Sequence, residues 1–461
     1  MNVILLLVKE RRCKQVFLLA AMVVFASGCA QVKGEWRYDG AGREALLSGG
    51  TQRELPKLDD NAELGHYLTY AAISNPGLEA AFDRWAAAVE RIPQALALKD
   101  PTFSYTHFIE EVETRVGPQK FNVGLSQMFP WFGKRELRGN VVAREADAES
   151  QRFLAAKLKL FYRVKYAYYE YYYLGRAIAV TQENVRLLTS LESVVRTKYQ
   201  AGSVPHSALI RIQVGLAELE DRLRSLQDLR IPVMAGLNAA LGRSDDAPLP
   251  WPKEVPRANV SITDAQLVSW LKENNPELRS IDFKAAEEET AIKLAGKNRF
   301  PDVTFGVAYV ETDDTNDDPV TATIAVNLPI WTGKYLAQEN EARAKYRTIV
   351  NTRADREHAL VSDLKMAAFG FRDAERKVGL YRDTLIPKAE QGFKVTRQAF
   401  EAGKADVLDL VDAEKILLEF TLSRERALAN RAQRLAEMEM LVGKEIPRAD
   451  DPPVETKGQE E

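Results

Sequence analysis

The sequence predicts a mixed α/β membrane protein. Long antiparallel α-helices form a coiled-coil barrel, and each chain adds four strands to a transmembrane β-barrel, the whole written as a tandem internal repeat. Three observations predict this. Sequence landmarks return at a nearly constant spacing, helical patterns run far beyond globular length, and short alternating stretches have the length of membrane strands.

The repeat comes first. Asn75-Pro76-Gly77-Leu78 returns as Asn275-Pro276-Glu277-Leu278, Pro101 as Pro301, and Pro130, Gly133 and Lys134 as Pro329, Gly333 and Lys334. Tyr199-Gln200-Ala201-Gly202 returns as Phe400-Glu401-Ala402-Gly403, and Leu241-Gly242 as Val442-Gly443. The offset stays between 199 and 201 residues, which chance does not maintain over five landmarks. The organisation read from this is a lipoprotein-type signal peptide over 1–28 and a lipidated linker over 29–61. A first repeat over 62–245 follows, with a hairpin near 102–129, then a Pro-rich linker over 246–262. A second repeat over 263–446 has its hairpin near 302–328, and a disordered polar tail covers 447–461.

At the N-terminus, the basic KERRCK precedes the ten-residue apolar run VFLLAAMVVF, too short to span a bilayer but suited to a signal peptide. ASGC follows and resembles a lipobox, with Ala26 where leucine is commonest. Cys29 is then the first mature residue and carries lipid, and Cys13 is discarded. MNVILLLV, ahead of the basic patch, does not fit a signal peptide, so the initiating methionine is expected downstream.

Each copy begins with a capped helix, as at Thr263-Asp264, then an Asn-Pro break and a second, Ala-rich helix over 77–98 or 277–297. A long helix later runs to Gly202 or Gly403. From Leu137 to Gln200 there is no proline, and about 60 residues at 1.5 Å each make about 90 Å of helix. Apolar residues at three- and four-residue spacing among charges mark helices packed side by side. A return helix of about 40 residues closes the copy at Gly242 or Gly443. In LFYRVKYAYYEYYYLG, the spacing of Phe161, Val164, Tyr168, Tyr172 and Gly175 predicts a packing face. The remaining tyrosines are expected to flank it with hydroxyls toward water.

The strands alternate. In DVTFGVAYV, Val303, Phe305, Val307 and Tyr309 share one face, against Thr304, Gly306 and Ala308. In TATIAVNLP, Ile324, Val326 and Leu328 oppose Thr323, Ala325 and Asn327; TFSYTHFI and FNVGLSQMF are the counterparts in the first copy. Apolar outward and small or polar inward is the membrane-barrel pattern. PWFGK and PIWTGK sit where a strand gives way to a long helix. Pro130 and Pro329 stop the ladder, Gly133 and Gly333 allow the turn, and Trp131 and Trp331 suit the membrane–water interface. Four strands cannot close a barrel and open edges are not tolerated in lipid, so oligomerisation is expected, with eight strands as a dimer or twelve as a trimer.

With 63 Lys+Arg against 66 Asp+Glu, nothing points to nucleic acid. Two cysteines exclude a disulfide framework, and His66, His107, His206 and His358 fall in different elements, so no metal site is expected. There is no phosphate loop, dinucleotide fingerprint, HExxH or GxSxG, so neither enzymatic activity nor a cofactor is expected.

The Asn-Pro helix junctions, the PWFG and PIWTG turns and FEAGKADVLDLVDAE, duplicated and in order, resemble the TolC-like outer-membrane efflux proteins of Gram-negative bacteria over about 62–446. FIEEVETRVGPQKFNVGLSQMFPWFGKRELRG is most similar to members that accompany heavy-metal resistance–nodulation–division (RND) pumps. The resemblance implies a homotrimer with a 12-stranded barrel in the outer membrane and a helical tunnel across the periplasm, to which the lipid expected on Cys29 adds an anchor. It implies docking to a periplasmic adaptor (a membrane fusion protein) joined to an inner-membrane RND pump, as a passive exit for heavy-metal cations or drugs. A type I protein-secretion exit and a structural coiled-coil lipoprotein remain the alternatives.

The tips at Gly202 and Gly403 are the expected docking region, with Ser203 and Phe400. The segment after Gly403 closes the entrance in this family. Asp406, Asp409 and Asp412 follow it near one helix face; as plain helix chemistry, Asp406 is an N-cap and Asp409 eases the dipole. The family's arginine two residues after the tip glycine is absent, the position being Ala405, with Lys404 beside it. Arg211 holds in the first copy the place of Asp412 in the second. Arg211, with Asp412 or Asp409, is therefore expected to hold the closed state, the acidic ring favouring cations.

Overall fold

A computed structural model describes residues 55–448, apart from 116, 254, 256–259, 261 and 313–317. The lipidation residue Cys29, the signal peptide and most of the polar tail lie outside the described residues.

The order of elements is the same in each half. Helices α1 (Leu64–Ser74) and α2 (Pro76–Leu96) lead to strands β1 (Thr102–Val112) and β2 (Gln119–Phe129). Then come α3 (Lys134–Gln200), α4 (His206–Asp228) and α5 (Arg230–Leu241). In the second half α6 (Asp264–Asn274), α7 (Pro276–Lys297), β3 (Val303–Thr312) and β4 (Val320–Val326) are followed by α8 (Thr332–Leu380). A π-helical turn over Tyr381–Leu385, α9 (Ile386–Glu401) and α10 (Val407–Val442) complete the chain.

Two compact units divide these elements, and the division cuts across the halves. Among the described residues, one unit takes those of Asp83–Ser150 with Ser280–Ala354, and the other takes those of Gly40–Phe82, Gln151–Arg279 and Asp355–Glu461.

The first unit holds the sheet, ordered β1-β2-β3-β4, with every neighbour antiparallel. Hairpins β1–β2 and β3–β4 are joined through β2–β3, where Phe129 faces Val303 and Leu125 faces Val307. Beside the sheet, Ala88 and Ile92 of α2 pack on Ala143 and Ala146 of α3.

In the second unit the helices interdigitate around two apolar clusters. One gathers Leu267, Leu271, Leu278, Phe371, Leu435 and Leu441; the other gathers Leu188, Val195, Ile212, Phe400, Val407 and Leu410. The two Asn-Pro breaks are hydrogen-bonded alike. Asn75 donates through Nδ2 to the Ala240 carbonyl at 3.0 Å, and its Oδ1 accepts from the amides of Gly77 and Leu78. Asn275 donates to the Leu441 carbonyl at 2.8 Å and accepts from Glu277 and Leu278. One side chain thus caps the helix that follows it and ties it to the end of the return helix. Gly242 and Gly443 end those return helices at φ 74° and 86°, and a Cβ on either would run into backbone at Ser74–Asn75 or Asn274–Asn275. Only glycine fits both the conformation and the approach.

The helices depart from the sequence expectation at prolines. The first return helix is divided at Leu229, ahead of Pro232, instead of running about 40 residues unbroken. In the second half, the Ile386 amide bonds back to the Tyr381 carbonyl just ahead of Pro387. The wider turn accommodates a residue that lacks an N–H and whose ring would otherwise press on the preceding turn.

The tyrosine-rich face packs, but more completely than expected. Val164, Tyr168 and Tyr172 are buried, and so are Tyr169 and Tyr171, whose hydroxyls were expected in water. Tyr171 stacks on Trp251 of the linker at 4.4 Å and donates to the Leu249 carbonyl at 3.0 Å. The linker forms a lid that the helical periodicity of α3 alone does not reveal. Arg426 lies 3.5 Å from the Tyr173 ring centroid and forks onto Glu170 at 2.7 and 2.9 Å. Burial alone would raise the Glu170 pKa, but hydrogen bonds from Arg426 and its charge outweigh burial and hold it below the ordinary value.

Candidate membrane face and helical tips

Residues directly opposite each other in a sheet share a face, so the register sorts the side chains. On one face stand Phe103 and Tyr105 of β1, opposite Leu125 and Val123 of β2. Beside them are Val303, Phe305, Val307 and Tyr309 of β3, with Val326, Ile324, Ala322 and Val320 of β4. The other face carries Ser104, Gly124, Ser126, Thr304, Gly306, Ala308, Thr323 and Ala325. Alternation read one strand at a time is therefore in phase across all four. Gln127 interrupts the apolar face, and its amide is satisfied by the carbonyls of Lys99 and Met128 at 2.8 and 3.0 Å. Phe129 and Phe305 meet edge to face at 5.9 Å. No described helix is long and apolar enough to cross a membrane.

The two turns after the strands differ. Gly133 takes φ 80° between Trp131 and Lys134, as expected. Gly333 does not: it already lies in α8, because the extra residue of PIWTGK lets Ile330 and Thr332 make the turn with bonds to Leu328 and Ile330. Trp131 stacks on Phe300 at 5.7 Å and donates its amide to Asp302 at 2.9 Å, whereas Trp331 is 72% exposed. Lys134, almost wholly buried, donates to the Phe300 carbonyl and to Asp302, each at 2.7 Å. Pro130 and Pro329 each stand between a strand and these turns.

In the second unit, Gly202 and Gly403 end α3 and α9 at φ 71° and 73°. In each tip the amide after the glycine bonds five residues back, Ser203 to Lys198 and Lys404 to Ala399, both at 2.8 Å. This is the left-handed closure that glycine favours. The tips touch. Lys198 donates to the carbonyls of Phe400 and Glu401 at 3.1 and 3.0 Å and lies over the Phe400 ring. The sequence reading missed Lys198, since one lysine near a helix end carries no signal of its own.

Phe400 is not where the sequence reading put it. Its ring is 3% exposed inside the apolar cluster, so it props the tip from within instead of presenting itself to a partner. Asp406 caps α10, accepting from the Val407 amide at 2.6 Å, and Asp409 accepts from the Asp406 amide at 3.1 Å in a reciprocal box. Asp412, Lys404 and Arg211 are exposed, and none makes an ion pair among the described residues of one chain.

Glu414 was not singled out by the sequence. It is 4% exposed, its Oε1 has no hydrogen-bond partner, and burial pushes its pKa up to about 7 against a lowering contribution from Lys415. Among the described residues, no three His, Cys, Asp or Glu side chains converge as a metal site.

Residues 267–444 match the family described as Outer membrane efflux protein. The cobalt-zinc-cadmium resistance protein CzcC of Cupriavidus metallidurans is 21% identical over 396 residues, covering 82% of this chain and 89% of that protein. The fold superposes on outer membrane protein VceC of Vibrio cholerae with a TM-score of 0.70 at 17% identity, covering 83% of this chain and 97% of that one. CusC gives a TM-score of 0.73 at 15% identity, with 86% and 96% covered. With the paired helices, four-stranded sheet and twin tips, these likenesses give the chain the fold of solved outer-membrane channel proteins and a resemblance, over residues 267–444, to the outer membrane efflux proteins.

Proposed function

We propose that this chain is the outer-membrane exit duct of a tripartite efflux system. In this reading three copies close a 12-stranded barrel, the twin tips face a periplasmic adaptor, and an inner-membrane RND pump delivers the cargo. The observation that carries it is the register: a single antiparallel sheet whose apolar positions stand in phase across four strands, with a small or polar face behind. Edges β1 and β4 are unpaired among the described residues, which lipid does not tolerate in a monomer. The two halves, with the same helix junctions and tip closures, are read as a tandem duplication. Lipid on Cys29 adds a second hold on the membrane.

The named activity of CzcC favours heavy-metal cations as cargo over drugs. A protein-secretion exit shares the duct, and a structural lipoprotein rod shares the helices but leaves the in-phase strands without a purpose. Conductance of the purified protein in planar bilayers, with a trimer band that dissociates on heating, tests the duct. Sensitivity of a deletion strain to cobalt, zinc and cadmium tests the cargo. A monomeric, non-conducting protein would overturn the duct; wild-type metal resistance in the deletion strain would remove the metal assignment.

A further inference from the structure

The sheet leaves two edges open, and residues around them say how they meet. We propose that β4 of one copy pairs antiparallel with β1 of a second copy in a single register, Leu328 opposite Phe103 and Val326 opposite Tyr105. Lys334 then crosses that seam to Asp100. This rests on the barrel reading above and adds to it which residues face each other.

The template is β2–β3, the only pairing in the sheet that is not a hairpin. No loop sets its register; the strand-to-helix junctions do. Lys134 reaches across to the Phe300 carbonyl and Asp302, while the Trp131 amide bonds Asp302 and its indole stacks on Phe300. The sequence landmarks carry Pro130 onto Pro329, Lys134 onto Lys334 and Pro301 onto Pro101. The pair Phe129–Val303 then becomes Leu328–Phe103, and Gln127–Phe305 becomes Val326–Tyr105.

The face of each residue gives an independent check. Phe103 and Tyr105 owe their place on the apolar face to pairing with Leu125 and Val123, and Val326 owes its place to pairing with Val303. The transferred register joins apolar face to apolar face, whereas a slip of one residue would set Phe103 and Tyr105 against Asn327 and Ala325. Within the hairpins the β3–β4 register is displaced by two residues from that of β1–β2, as unequal loops allow, and the face is preserved. The edge strands also carry bare apolar side chains, Phe103 at 66% and Ile324 at 69% exposure, and Leu328, two residues beyond β4, is 75% exposed.

The charges match as well. Lys334 is exposed, with no ion pair among the described residues and the Tyr335 ring 5.8 Å from its ammonium. Asp100 is exposed and likewise makes none. It occupies the position of Phe300, whose carbonyl receives Lys134, so Lys334 finds there both a carbonyl and a carboxylate. Thr102 stands where the first seam has Asp302.

The test uses full-length protein in membranes. Val326→Cys with Tyr105→Cys, oxidised with copper–phenanthroline so that only directly opposed thiols join, is expected to give a ladder ending in a covalent trimer on denaturing gels. Val326→Cys with His107→Cys is expected to give little. Lys334→Glu should lower the temperature at which the native trimer band dissociates, and adding Asp100→Lys should restore it. A heat-dissociable trimer that cross-links only in the shifted pair, or a reversal that is not rescued, overturns this seam and leaves the barrel standing. Absence of any trimer in the wild-type protein overturns the barrel and the seam together.

Discussion

Lys198 of the first tip donates its ammonium to the backbone carbonyl of Phe400 in the second, 3.1 Å away, and to that of Glu401. Two helix ends far apart in sequence are thereby held by one side chain. The carbonyls it serves belong to the last turn of α9, where cations are favoured, and that of Phe400 also accepts from the Gly403 amide at 3.1 Å.

Lys198→Met keeps the aliphatic stem over the Phe400 ring and removes the donor. It is expected to cost about 1–2 kcal/mol locally. Amide exchange near Gly202 and Gly403 should quicken with trimer yield unchanged. Unaltered exchange at both tips would show that the apolar cluster alone holds them.

Asn275 is buried and bonds three backbone groups, while Asn75 makes the same bonds and is only half-buried. Asn275→Ala is expected to destabilise the chain by about 2–4 kcal/mol, and Asn75→Ala by less, because water can reach the groups it abandons. Thermal melts of the two variants in detergent check the ordering.

Glu414 predicts a pH dependence of stability. Its proton is held up to about pH 7 in the folded chain, against the ordinary 4.5. Folding therefore takes up a proton between those values, and stability falls as pH rises through that window, by about 3 kcal/mol when the window is crossed. Glu414→Gln should melt close to the wild type at pH 5 and clearly above it at pH 8. Equal melting differences at both pH values would place the carboxylate in water.

Val307 stands on the apolar face and Ala325 on the small-residue face. If the apolar face meets lipid, Val307→Arg costs about 2–4 kcal/mol near the bilayer midplane and Ala325→Arg much less. Urea titration of protein refolded into vesicles measures both. Equal losses would refute the assignment of faces.

Asp409 serves a helix cap, which leaves Asp412 and Arg211 as the exposed charges proposed for the gate. Since Arg211 pairs with neither carboxylate within one chain among the described residues, the proposed contact lies between copies. Exposed pairs contribute about 0.2–1 kcal/mol each, so in the proposed trimer closure sums over three. Asp412→Ala is expected to raise single-channel conductance and to admit vancomycin into cells while trimer yield stays unchanged. Unchanged conductance would remove Asp412 from the gate.

Sequence alone determined what is local or periodic. Helical spacing, the Asn-Pro breaks, the glycine tips and strand alternation each depend on a residue and its near neighbours, so they can be read along the chain. The Asp406 cap was visible for the same reason. Tertiary structure decided what depends on contacts between distant segments: the pairing of β2 with β3, the phase of all four strands, the burial of Tyr169, and the burial of Tyr171 against the linker's Leu249 and Trp251. It decided the chemistry of charged groups too. Lys134, Lys198 and Glu414 look like surface residues in a charged helical pattern, and only the elements folded over or against them made one a buried tie, one a bridge between tips and one a carboxyl that keeps its proton.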